Sequence, residues 1–404
     1  GCHYMSIWMD RNTATFSHMG GEGAAWIGQQ HFTSEKHVFA NLGDGTYFHS
    51  GVLAIRAAVA ATANITYKVL YNDAVAMTGG QPVDGILRVP DLVAQVQAEG
   101  ARKVVIVTDE PKKYQGVKLV GNPPVYHRSE LDRVQRELRD MPGTTVLVYD
   151  QTCATEKRRR RKRGTYPDPA RRVFINDTVC EGCGDCSAKS NCLSVEPLET
   201  ERGTKRKINQ SSCNKDFSCL DGFCPSFVTA EGAQPKKPRP ATQPAADAQP
   251  LEAAALPEPA LPALEDSYGI LVTGIGGTGV VTIGNLLGMA AHLENKGVTV
   301  LDMAGLAQKG GAVYSHVQIA PRPDQLHATR VATGAARLVI GCDSIVTTAK
   351  DVLSRVQKDV TCAAINSAPT PTADMIGDAT WEFPVDRTRM TIQAAIGQQC
   401  DVID

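Results

Sequence analysis

Seven of the twelve cysteines lie within one short segment, and thiols crowded so densely limit what that segment can fold around. The seven are Cys180, Cys183, Cys186, Cys192, Cys213, Cys219 and Cys224. Disulfide frameworks are typical of small secreted domains, whereas this chain has 404 residues and its other cysteines are scattered. The segment therefore predicts a metal centre in a protein of the reducing cytoplasm.

The spacing within this segment favours an iron–sulfur cluster. Cys180, Cys183 and Cys186 follow one another at intervals of two residues, as at the start of a bacterial ferredoxin run, and Cys224 with Pro225 matches the end of such a run. In ferredoxins the first three cysteines share a cluster with the last, so we predict one [4Fe–4S] cluster on these four cysteines. Zinc is the alternative, because two cysteines separated by two residues are also a zinc spacing.

The remaining cysteines of the segment leave a second cluster open. Two [4Fe–4S] clusters require about eight cysteines, and the segment holds seven. Cys192, Cys213 and Cys219 are three further candidate ligands, at spacings that depart from the usual run. A second cluster on them would be incomplete or would need a ligand other than cysteine.

Residues 1–150 alternate between strand-like and helix-like patterns. Short apolar, β-branched runs predict strands, and longer Ala-rich or amphipathic runs predict helices. The predicted strands are 37–42, 65–72, 103–110 and 144–150, and the predicted helices are 51–63, 91–100 and 129–143. Strands that alternate with helices indicate the α/β class, with a doubly wound parallel sheet.

Composition divides the rest of the chain. Residues 157–163 are seven consecutive Lys or Arg, for which we predict a solvated loop; nucleic-acid binding and a docking surface for an acidic electron carrier are the alternatives. Residues 230–265 are rich in Pro and Ala and predict a semi-extended linker, and a second α/β pattern begins at Tyr268. The expected divisions are a sheet domain, a basic loop with the iron–sulfur segment, the linker, and a last α/β domain: 1–150, 151–229, 230–265 and 266–404.

The overall composition is that of a globular protein. The chain is 42% hydrophobic and 21% charged, with a formal net charge of −1, which gives no general argument for binding nucleic acid or membrane. It has no apolar run of about 18 residues and no visible signal peptide, and its length fits two or three domains. Because the sequence starts at Gly1 without a methionine, we expect it to be part of a longer protein.

A Gly–Asp–Gly stretch follows the first predicted strand. It places Asp44 between Gly43 and Gly45 at the carboxyl end of that strand, where open α/β sheets bind ligands and where glycine allows close approach of the backbone. Asn72 ends the next predicted strand, with 26 residues between it and Gly45. Because Mg²⁺ prefers oxygen ligands, Asp44, Asn72 and the backbone carbonyl of Ala74 predict a Mg²⁺–diphosphate site. An ordinary Asp–Gly turn is the alternative.

This spacing of Gly–Asp–Gly and Asn resembles the thiamine diphosphate motif. Together with residues 1–28 and YNDAVAMTGGQP (71–82), it resembles the diphosphate-binding half of the 2-oxoacid:ferredoxin oxidoreductases, and especially their long, fused indolepyruvate type. The resemblance extends through the cysteine segment and the last domain. It implies that Asp44, Asn72 and the Ala74 carbonyl hold Mg²⁺ on the cofactor's diphosphate.

The resemblance also implies roles for residues around the cofactor. Cys2 and His3 would lie near the thiazolium, and Thr78 and Gly79 near the reacting end. The family's activating glutamate belongs to a pyrimidine-binding part that is missing from this sequence, so the chain alone is expected to be inactive. Two polar residues could be pocket walls or parts of a loop, namely His18 and Glu22.

An activity follows from the same resemblance. It is the oxidative decarboxylation of an aryl 2-oxoacid to an acyl-CoA and CO₂, with electrons passed through the cluster to ferredoxin. The implied cofactors are thiamine diphosphate, Mg²⁺ and [4Fe–4S]; the implied partners are ferredoxin, coenzyme A and the pyrimidine-binding part, in a homo-oligomer. Two other classes stay open: a non-redox thiamine diphosphate enzyme of the decarboxylase or synthase type, and an electron-transfer module.

A glycine-rich turn opens the last domain. Gly274, Gly276 and Gly279 satisfy the G-x-G-x-x-G pattern between a predicted strand and helix, and Asp302 ends the next strand. The residues alone predict a site for NAD(P) or FAD. The resemblance, here to the gamma-type domain of the same oxidoreductases, implies instead close helix–strand packing and a wall of the active site or of a coenzyme A channel. That wall would be formed by Gln308, Lys309 and Gly310. A plain loop is the alternative for these residues.

Overall fold

The computed structural model divides the chain into two compact units, Gly1–Tyr166 and Pro167–Asp404. The residues that it describes are 6–9, 12–13, 15–75, 80–83, 85, 87–233, 263–305, 310–368 and 370–397. Most of the predicted linker, 234–262, lies outside these residues, so the linker and the domain boundaries stay predictions. No helix among the described residues is both long and apolar enough to span a membrane.

A five-stranded sheet forms the centre of the first unit. Its strands are β1 (Val38–Gly43), β2 (Ile65–Tyr71), β3 (Lys103–Thr108), β4 (Val125–His127) and β5 (Thr144–Asp150). All pairs are parallel, in the order β1-β2-β5-β3-β4. The predicted strands correspond to β1, β2, β3 and β5, which are apolar runs, whereas β4 is too short to show a period.

Helices connect these strands. They are α1 (Ala24–Gln29), α2 (Asp44–Thr46), α3 (Val52–Ala60), α4 (Val89–Ala98), α5 (Leu131–Arg139) and α6 (Ala154–Lys162). A π-helical turn, Tyr47–Gly51, joins α2 to α3, and 3₁₀ turns lie at Ser6–Met9, Gln30–Phe32, Pro111–Tyr114 and Arg128–Glu130. The three predicted helices correspond to α3, α4 and α5.

Both faces of the sheet are covered, as the doubly wound prediction requires. Ile106 of β3 packs in a cluster with Ile55 of α3 and Leu92 of α4. The next residue, Val107, packs in a separate cluster with Leu138 of α5, because successive side chains of a strand point to opposite faces. Burying each such side chain contributes about 1.5–3 kcal/mol, so the two clusters stabilise the packing of the helices on the two faces of the sheet.

The run of basic residues is helical, so the predicted solvated loop was wrong. Lys and Arg are good helix formers, and in α6 their charges are paired. Arg159 and Arg160 each approach the buried carboxylate of Glu156 at 3.1 Å, and Lys157 pairs with Asp109. This helix has no apolar stripe, and hydrophobic periodicity therefore does not detect it.

Short strands frame the cysteine-rich segment of the second unit. They are β6 (Arg172–Ile175), β7 (Val195–Thr200), β8 (Gly203–Ile208) and β9 (Phe227–Ala230), with helix α7 (Asp185–Ser190) and a 3₁₀ turn at Ser218–Leu220. β6 pairs antiparallel with β9, and β7 pairs antiparallel with β8. The first pair joins the start of the segment to its end, and the second pair forms a hairpin in its middle, which agrees with the ferredoxin-like segment in the predicted fold class.

The last part of the second unit is a mixed sheet with helices. Its strands are β10 (Tyr268–Ile275), β11 (Gly297–Ala304), β12 (Ala312–Ala320), β13 (Ala336–Gly341) and β14 (Cys362–Ile365). Its helices are α8 (Val280–Leu293), α9 (Ser344–Thr347), α10 (Lys350–Leu353), α11 (Asp374–Gly377) and α12 (Val385–Ile396), and a 3₁₀ turn lies at Pro323–Gln325. The order is β11-β12-β10-β13-β14, with β12 antiparallel to both of its neighbours. The α/β class is confirmed, and β10–α8–β11 is a crossover that leaves room for one strand.

Candidate cofactor-binding sites

Asp44 lies at the carboxyl end of β1, as predicted, and is the first residue of α2. Its side chain is only 2% exposed. One carboxylate oxygen accepts from the backbone N–H of Gly45 at 2.8 Å, and the other accepts from the N–H groups of Asn72 at 2.9 Å and Asp73 at 3.0 Å. Because β1 and β2 run parallel and in register, the ends of the two strands meet, and the structure brings Asp44 and Asn72 together.

The groups at this site fit a Mg²⁺ ion on a diphosphate. A carboxylate offers about four acceptor positions, and the three N–H groups leave Asp44 one for a metal. The side-chain oxygen of Asn72 is buried and has no hydrogen-bond partner. A buried acceptor without a partner costs about 1–3 kcal/mol, which a cation that prefers oxygen ligands would offset. Ala74 is buried beside these residues, and its carbonyl stays a prediction.

The glycines at this site act differently from the prediction. Gly43 has an extended backbone with φ −75°, and Gly45 lies in α2 outside the left-handed region, so neither needs a conformation reserved for glycine. A Cβ placed on Gly45 would meet nothing within 4 Å. The open space above Gly45 is the feature that suits a ligand, because a side chain there would occupy it.

Burial raises the pKa of the Asp44 carboxyl, against the lowering effect of the backbone N–H groups of Asn72, Gly45 and Asp73. The cause is the loss of solvation for the charged form. The ionised carboxylate is therefore destabilised in the folded protein, and a bound cation would compensate for it.

This shift predicts a pH dependence for the stability of the cofactor-free protein. A raised folded-state pKa means that the folded chain holds the Asp44 proton more tightly than the unfolded chain, so the stabilisation is present at low pH and is lost as pH rises through the folded pKa. We expect the melting temperature of Asp44→Asn, relative to the parent protein, to rise between about pH 4 and pH 7. Calorimetry without cofactor measures this difference, and a constant difference across that range would contradict it.

Helix α6 braces the loop that carries the Asn72 amide. Arg160 donates to the side chain of Asp73 at 2.8 Å and to its backbone carbonyl at 3.0 Å. Asp73 has a φ of 60°, in the left-handed region, and this conformation points its N–H at Asp44. A Cβ on Gly80, at the far end of the same loop, would collide with the Glu156 carboxylate. Local sequence patterns do not predict this contact, because the basic run lies far from the loop along the chain.

We expect Arg160→Ala to weaken Mg²⁺-dependent binding of thiamine diphosphate about tenfold, the lower end of what is lost when residues that position metal ligands are removed. Without Arg160, the strained turn at Asp73 loses both side-chain and backbone contacts. Lys162→Ala, an exposed change of equal charge on the same helix, is the control. Equal affinities of the two variants in a calorimetric titration would rule out the bracing role.

Other predicted residues of this region separate into three groups. Glu22 is 3% exposed and accepts from the N–H of Gly20 at 2.7 Å, so it stabilises its own loop. His18 is exposed, and its ring packs against Gly21 in that same loop. The remaining predicted residues lie outside those that the structure describes, namely Cys2, His3, Thr78, Gly79, Gln308 and Lys309.

The cysteines near α7 form one group. Burial raises the pKa of the Cys186 thiol, the Ser187 N–H opposes this, and the neighbouring Cys180 and Cys183 add to the rise. Ser226, two residues after Cys224, accepts through its backbone carbonyl from the N–H of Asn176, which follows β6. The pairing of β6 with β9 thus places Cys224 at the same end of the ribbon as the run that starts at Cys180.

Three other cysteines form a second group. Burial raises the pKa of Cys219 to about 12, and the nearby Cys213 and Cys192 thiols contribute to this rise. All three line one cavity at the open end of the β7–β8 hairpin. The structure thus brings Cys192, Cys213 and Cys219 together, and the division of the seven cysteines into two ligand sets stays a prediction.

The cysteine arrangement suits a cluster better than a single ion. Thiolates around one Zn²⁺ lie roughly 4 Å apart, since each Zn–S bond is about 2.3 Å long. Among the described residues, no three His, Cys, Asp or Glu side chains are close enough to share one metal ion. A cubane of four irons and four sulfides holds its cysteines further apart than one ion does, so the [4Fe–4S] cluster stays the prediction for this segment.

A buried arginine beside the first group supports the same conclusion. Arg206 of β8 is 1% exposed, and its Nε and Nη1 have no hydrogen-bond partner. Its Nη2 donates to the carbonyl of Ala379 at 3.1 Å and lies 3.5 Å from where a Cβ of Gly184 would be. Gly184 sits between Cys183 and Cys186, so a buried cation with unused donors stands beside the loop that an anionic cluster would occupy.

The glycine-rich turn packs closely on one side and opens to a cleft on the other. A Cβ on Gly274 would lie 2.5 Å from Thr278 Oγ1 and 3.0 Å from Cys342 Cβ, so this glycine serves packing. Thr278 and Cys342 also line a cleft of about 560 Å³ at the carboxyl ends of β10, β13 and β14. Asp302 lies on β11, which β12 separates from the turn; this is not the adjacent-strand position of the dinucleotide fingerprint.

Two family models match the chain on either side of the cysteine segment. The model described as the C-terminal TPP-binding domain of thiamine pyrophosphate enzymes matches residues 1–117, which include Asp44 and Asn72. The model described as pyruvate ferredoxin/flavodoxin oxidoreductase matches residues 269–395, which include the glycine-rich turn. The chain is thus similar at one end to thiamine pyrophosphate enzymes and at the other to pyruvate ferredoxin/flavodoxin oxidoreductases.

Curated relatives of the chain are named as subunits of indolepyruvate oxidoreductase. It is 27% identical over 161 residues to subunit IorA of Pyrococcus abyssi, covering 40% of the chain and 23% of the relative. It is 25% identical over 237 residues to IorA of Thermococcus kodakarensis, covering 58% and 32%. It is 32% identical over 78 residues to IorB of Pyrococcus horikoshii, covering 19% and 37%. The chain thus spans 23% to 37% of the length of these relatives and is similar to two proteins that are named as different subunits.

Solved structures resemble parts of the chain. Subunit PORC of pyruvate oxidoreductase from Thermotoga maritima has 15% identity and a TM-score of 0.21, and covers 28% of the chain and 55% of that structure. Benzoylformate decarboxylase from Polynucleobacter necessarius has 22% identity and a TM-score of 0.24, and covers 33% and 24%. At these scores the likenesses add nothing to the fold described above.

Proposed function

We propose that the chain carries the cofactor and electron-transfer parts of an enzyme that oxidatively decarboxylates an aryl 2-oxoacid, such as indolepyruvate, to its acyl-CoA. The observation that supports this proposal is that Asp44 lies beside the unpartnered oxygen of Asn72, in one chain with a cysteine segment that fits an iron–sulfur cluster. The similarity to proteins named indolepyruvate oxidoreductase supports the aryl substrate. In the overall reaction, a 2-oxoacid and coenzyme A give acyl-CoA and CO₂, and two electrons pass singly to oxidised ferredoxin.

In this proposal the residues around Asp44 bind and orient. Asp44 and Asn72, with the Ala74 carbonyl, hold Mg²⁺ on the diphosphate of thiamine diphosphate, and Arg160 keeps their loop in shape. Bonded to three backbone N–H groups, the Asp44 carboxylate stays in position and transfers no proton to substrate. When bound, thiamine diphosphate supplies the electron sink that lets the substrate carboxylate leave as CO₂.

Four residues outside the described part are proposed to complete the site. Cys2 and His3 lie near the thiazolium in this proposal, and Thr78 and Gly79 near the reacting end. Gly80 and Gln81, which follow Thr78 and Gly79 along the chain, are described and are hydrogen-bonded to Val75.

Electrons are proposed to leave through the cysteine segment. Cys180, Cys183, Cys186 and Cys224 hold a [4Fe–4S] cluster, which transfers one electron at a time and so suits ferredoxin as the acceptor. The cleft beside Thr278 and Cys342 is proposed as a wall of the active site or of the coenzyme A channel; Gln308, Lys309 and Gly310 are assigned to the same wall. We propose the corresponding domains at 1–150, 151–229 and 266–404, joined by a linker at 230–265.

Anaerobic reduction of a viologen dye by the full-length protein tests the activity. A panel of indolepyruvate, phenylpyruvate, hydroxyphenylpyruvate and pyruvate is compared, each with and without coenzyme A. We expect reduction of the dye to require thiamine diphosphate and Mg²⁺ and to reach completion when coenzyme A is present. We expect the reduction to be fastest with an aryl substrate.

Three results would contradict this function. Formation of an aldehyde without dye reduction would indicate a non-redox thiamine enzyme. Dye reduction by an added electron donor without any binding of thiamine diphosphate would indicate an electron-transfer module. Preference for pyruvate would overturn the aryl substrate while leaving the reaction type intact.

A further inference from the structure

We propose that Asp216 is the fourth protein ligand of a second [4Fe–4S] cluster, with Cys192, Cys213 and Cys219 as the other three. This inference rests on the proposed iron–sulfur role of the cysteine segment. It answers the question that the cysteine count left open, because a carboxylate replaces the eighth cysteine.

The spacing around Asp216 repeats that of the first cysteine run. The first run places ligands at Cys180, Cys183 and Cys186, each separated from the next by two residues. From Cys213, the same steps reach Asp216 and then Cys219 (three ligand positions in the order Cys, Asp, Cys). Asp216 thus occupies the position of the middle cysteine in a bacterial ferredoxin run.

The topology completes this second set in the way that ferredoxins do. In a two-cluster ferredoxin, the fourth cysteine of each run binds the cluster of the other run. Cys192 follows the first run, and the β7–β8 hairpin, with Val195 opposite Ile208, returns the chain so that Cys192 meets the second run. The backbone carbonyl of Ser194 accepts from the N–H of Asn209 at 2.8 Å and closes the open end of the hairpin.

The structure gathers the four proposed ligands around one cavity. Its lining contains Cys192, Cys213, Asp216 and Cys219. Within that lining, Asp216 is the one carboxylate among the described residues; the other polar side chains are neutral amides and hydroxyls. A carboxylate is a better iron ligand than these, because it brings a negative charge as a thiolate does.

The position of Asp216 has a chemical consequence. Its carboxylate accepts from the N–H of Ser218 at 3.2 Å and from the Ser218 hydroxyl at 3.0 Å, which orients it within the turn between the two cysteines. The residue is exposed to solvent. A harder oxygen ligand at an exposed corner holds its iron less firmly than thiolate does, so this corner should be the first to lose iron on oxidation.

Iron analysis and EPR of the anaerobically prepared full-length protein test the assignment. We expect about eight irons per chain rather than the four predicted from cysteines alone. On mild treatment with ferricyanide, one electron passes to the oxidant and Fe²⁺ leaves the Asp216 corner, so [4Fe–4S]²⁺ becomes [3Fe–4S]⁺ with its own EPR signal. Asp216→Cys should keep about eight irons and suppress that signal under the same treatment.

Matched variants separate the possible outcomes. Asp216→Ala should hold about seven irons before any oxidant is added. Asp221→Asn, which changes an exposed carboxylate of the same loop outside the cavity lining, should behave like the parent. A parent protein with about four irons, or an Asp216→Cys variant whose oxidised spectrum equals the parent's, would overturn the ligand while leaving the proposed function intact. Absence of iron–sulfur absorption in the parent would overturn both.

Discussion

Asp44→Asn should weaken the Mg²⁺-dependent binding of thiamine diphosphate by more than about 100-fold, since even residues that only support a metal ligand are worth about 10–100-fold. The carboxylate supplies the one negative charge that the protein places on the ion, next to the neutral oxygen of Asn72. An amide of the same size keeps the packing but offers no charge. Isothermal titration of the full-length protein with thiamine diphosphate, at fixed Mg²⁺, measures the loss.

Two further variants sharpen this result. Asp132→Asn, whose side chain is 78% exposed in the same unit, should bind like the parent. Asn72→Leu fills a similar volume and removes the unpartnered oxygen, so it should also weaken binding while raising the stability of the cofactor-free protein. Parent-like affinity of Asp44→Asn would mean that the diphosphate is held elsewhere.

The second large effect concerns Arg206 and the first cluster. Reduction makes an iron–sulfur cluster more negative, so a buried guanidinium with two unused donors favours the reduced state. Hydrogen bonds to charged groups contribute about 1.5–3 kcal/mol, which for one electron corresponds to roughly 60–130 mV. We expect Arg206→Met to lower the midpoint potential of that cluster by this amount, as measured by an EPR-monitored redox titration.

Control variants test whether the charge or the packing of Arg206 matters. Arg206→Lys keeps the charge and should recover most of the potential, whereas Arg202→Met removes an exposed cation from the same hairpin and should change little. A parent-like potential in Arg206→Met, with full iron content, would show that Arg206 serves only to join β8 to the Ala379 carbonyl.

Hydrophobic periodicity and residue spacing predicted most of the strands of the first sheet and the two side chains that meet at its edge. β1, β2, β3 and β5 are apolar runs buried on both faces, so their positions follow from composition. The meeting of Asp44 with Asn72 follows from the rule that neighbouring parallel strands end at one edge of a sheet. The unpartnered oxygen of Asn72 does not follow from any such rule, because whether an acceptor finds a donor depends on packing around it.

The features that the sequence predictions did not identify have one cause in common. Helix α6 has no apolar stripe, and its stability comes from partners such as Asp109 and Asp73, which are distant along the chain. β12, inserted between β10 and β11, separates Asp302 from the glycine-rich turn, and the G-x-G-x-x-G pattern says nothing of strand order. Asp216 is separated by two residues from Cys213 and from Cys219, a ligand spacing that a pattern of cysteines alone does not show.

The sequence alone predicts the chemistry that the chain can hold: oxygen ligands for a hard cation at Asp44 and Asn72, and thiolates for iron in the cysteine segment. Residue types and local spacing suffice for that, because metals select ligands by chemical character. Only the tertiary structure decides which of these side chains lie together and which charges surround them. It places neighbouring cysteines in groups, buries Arg206 beside one group, and lets Arg160 hold the turn at Asp73. Such properties depend on contacts between segments far apart in the chain, and local sequence patterns do not predict these contacts.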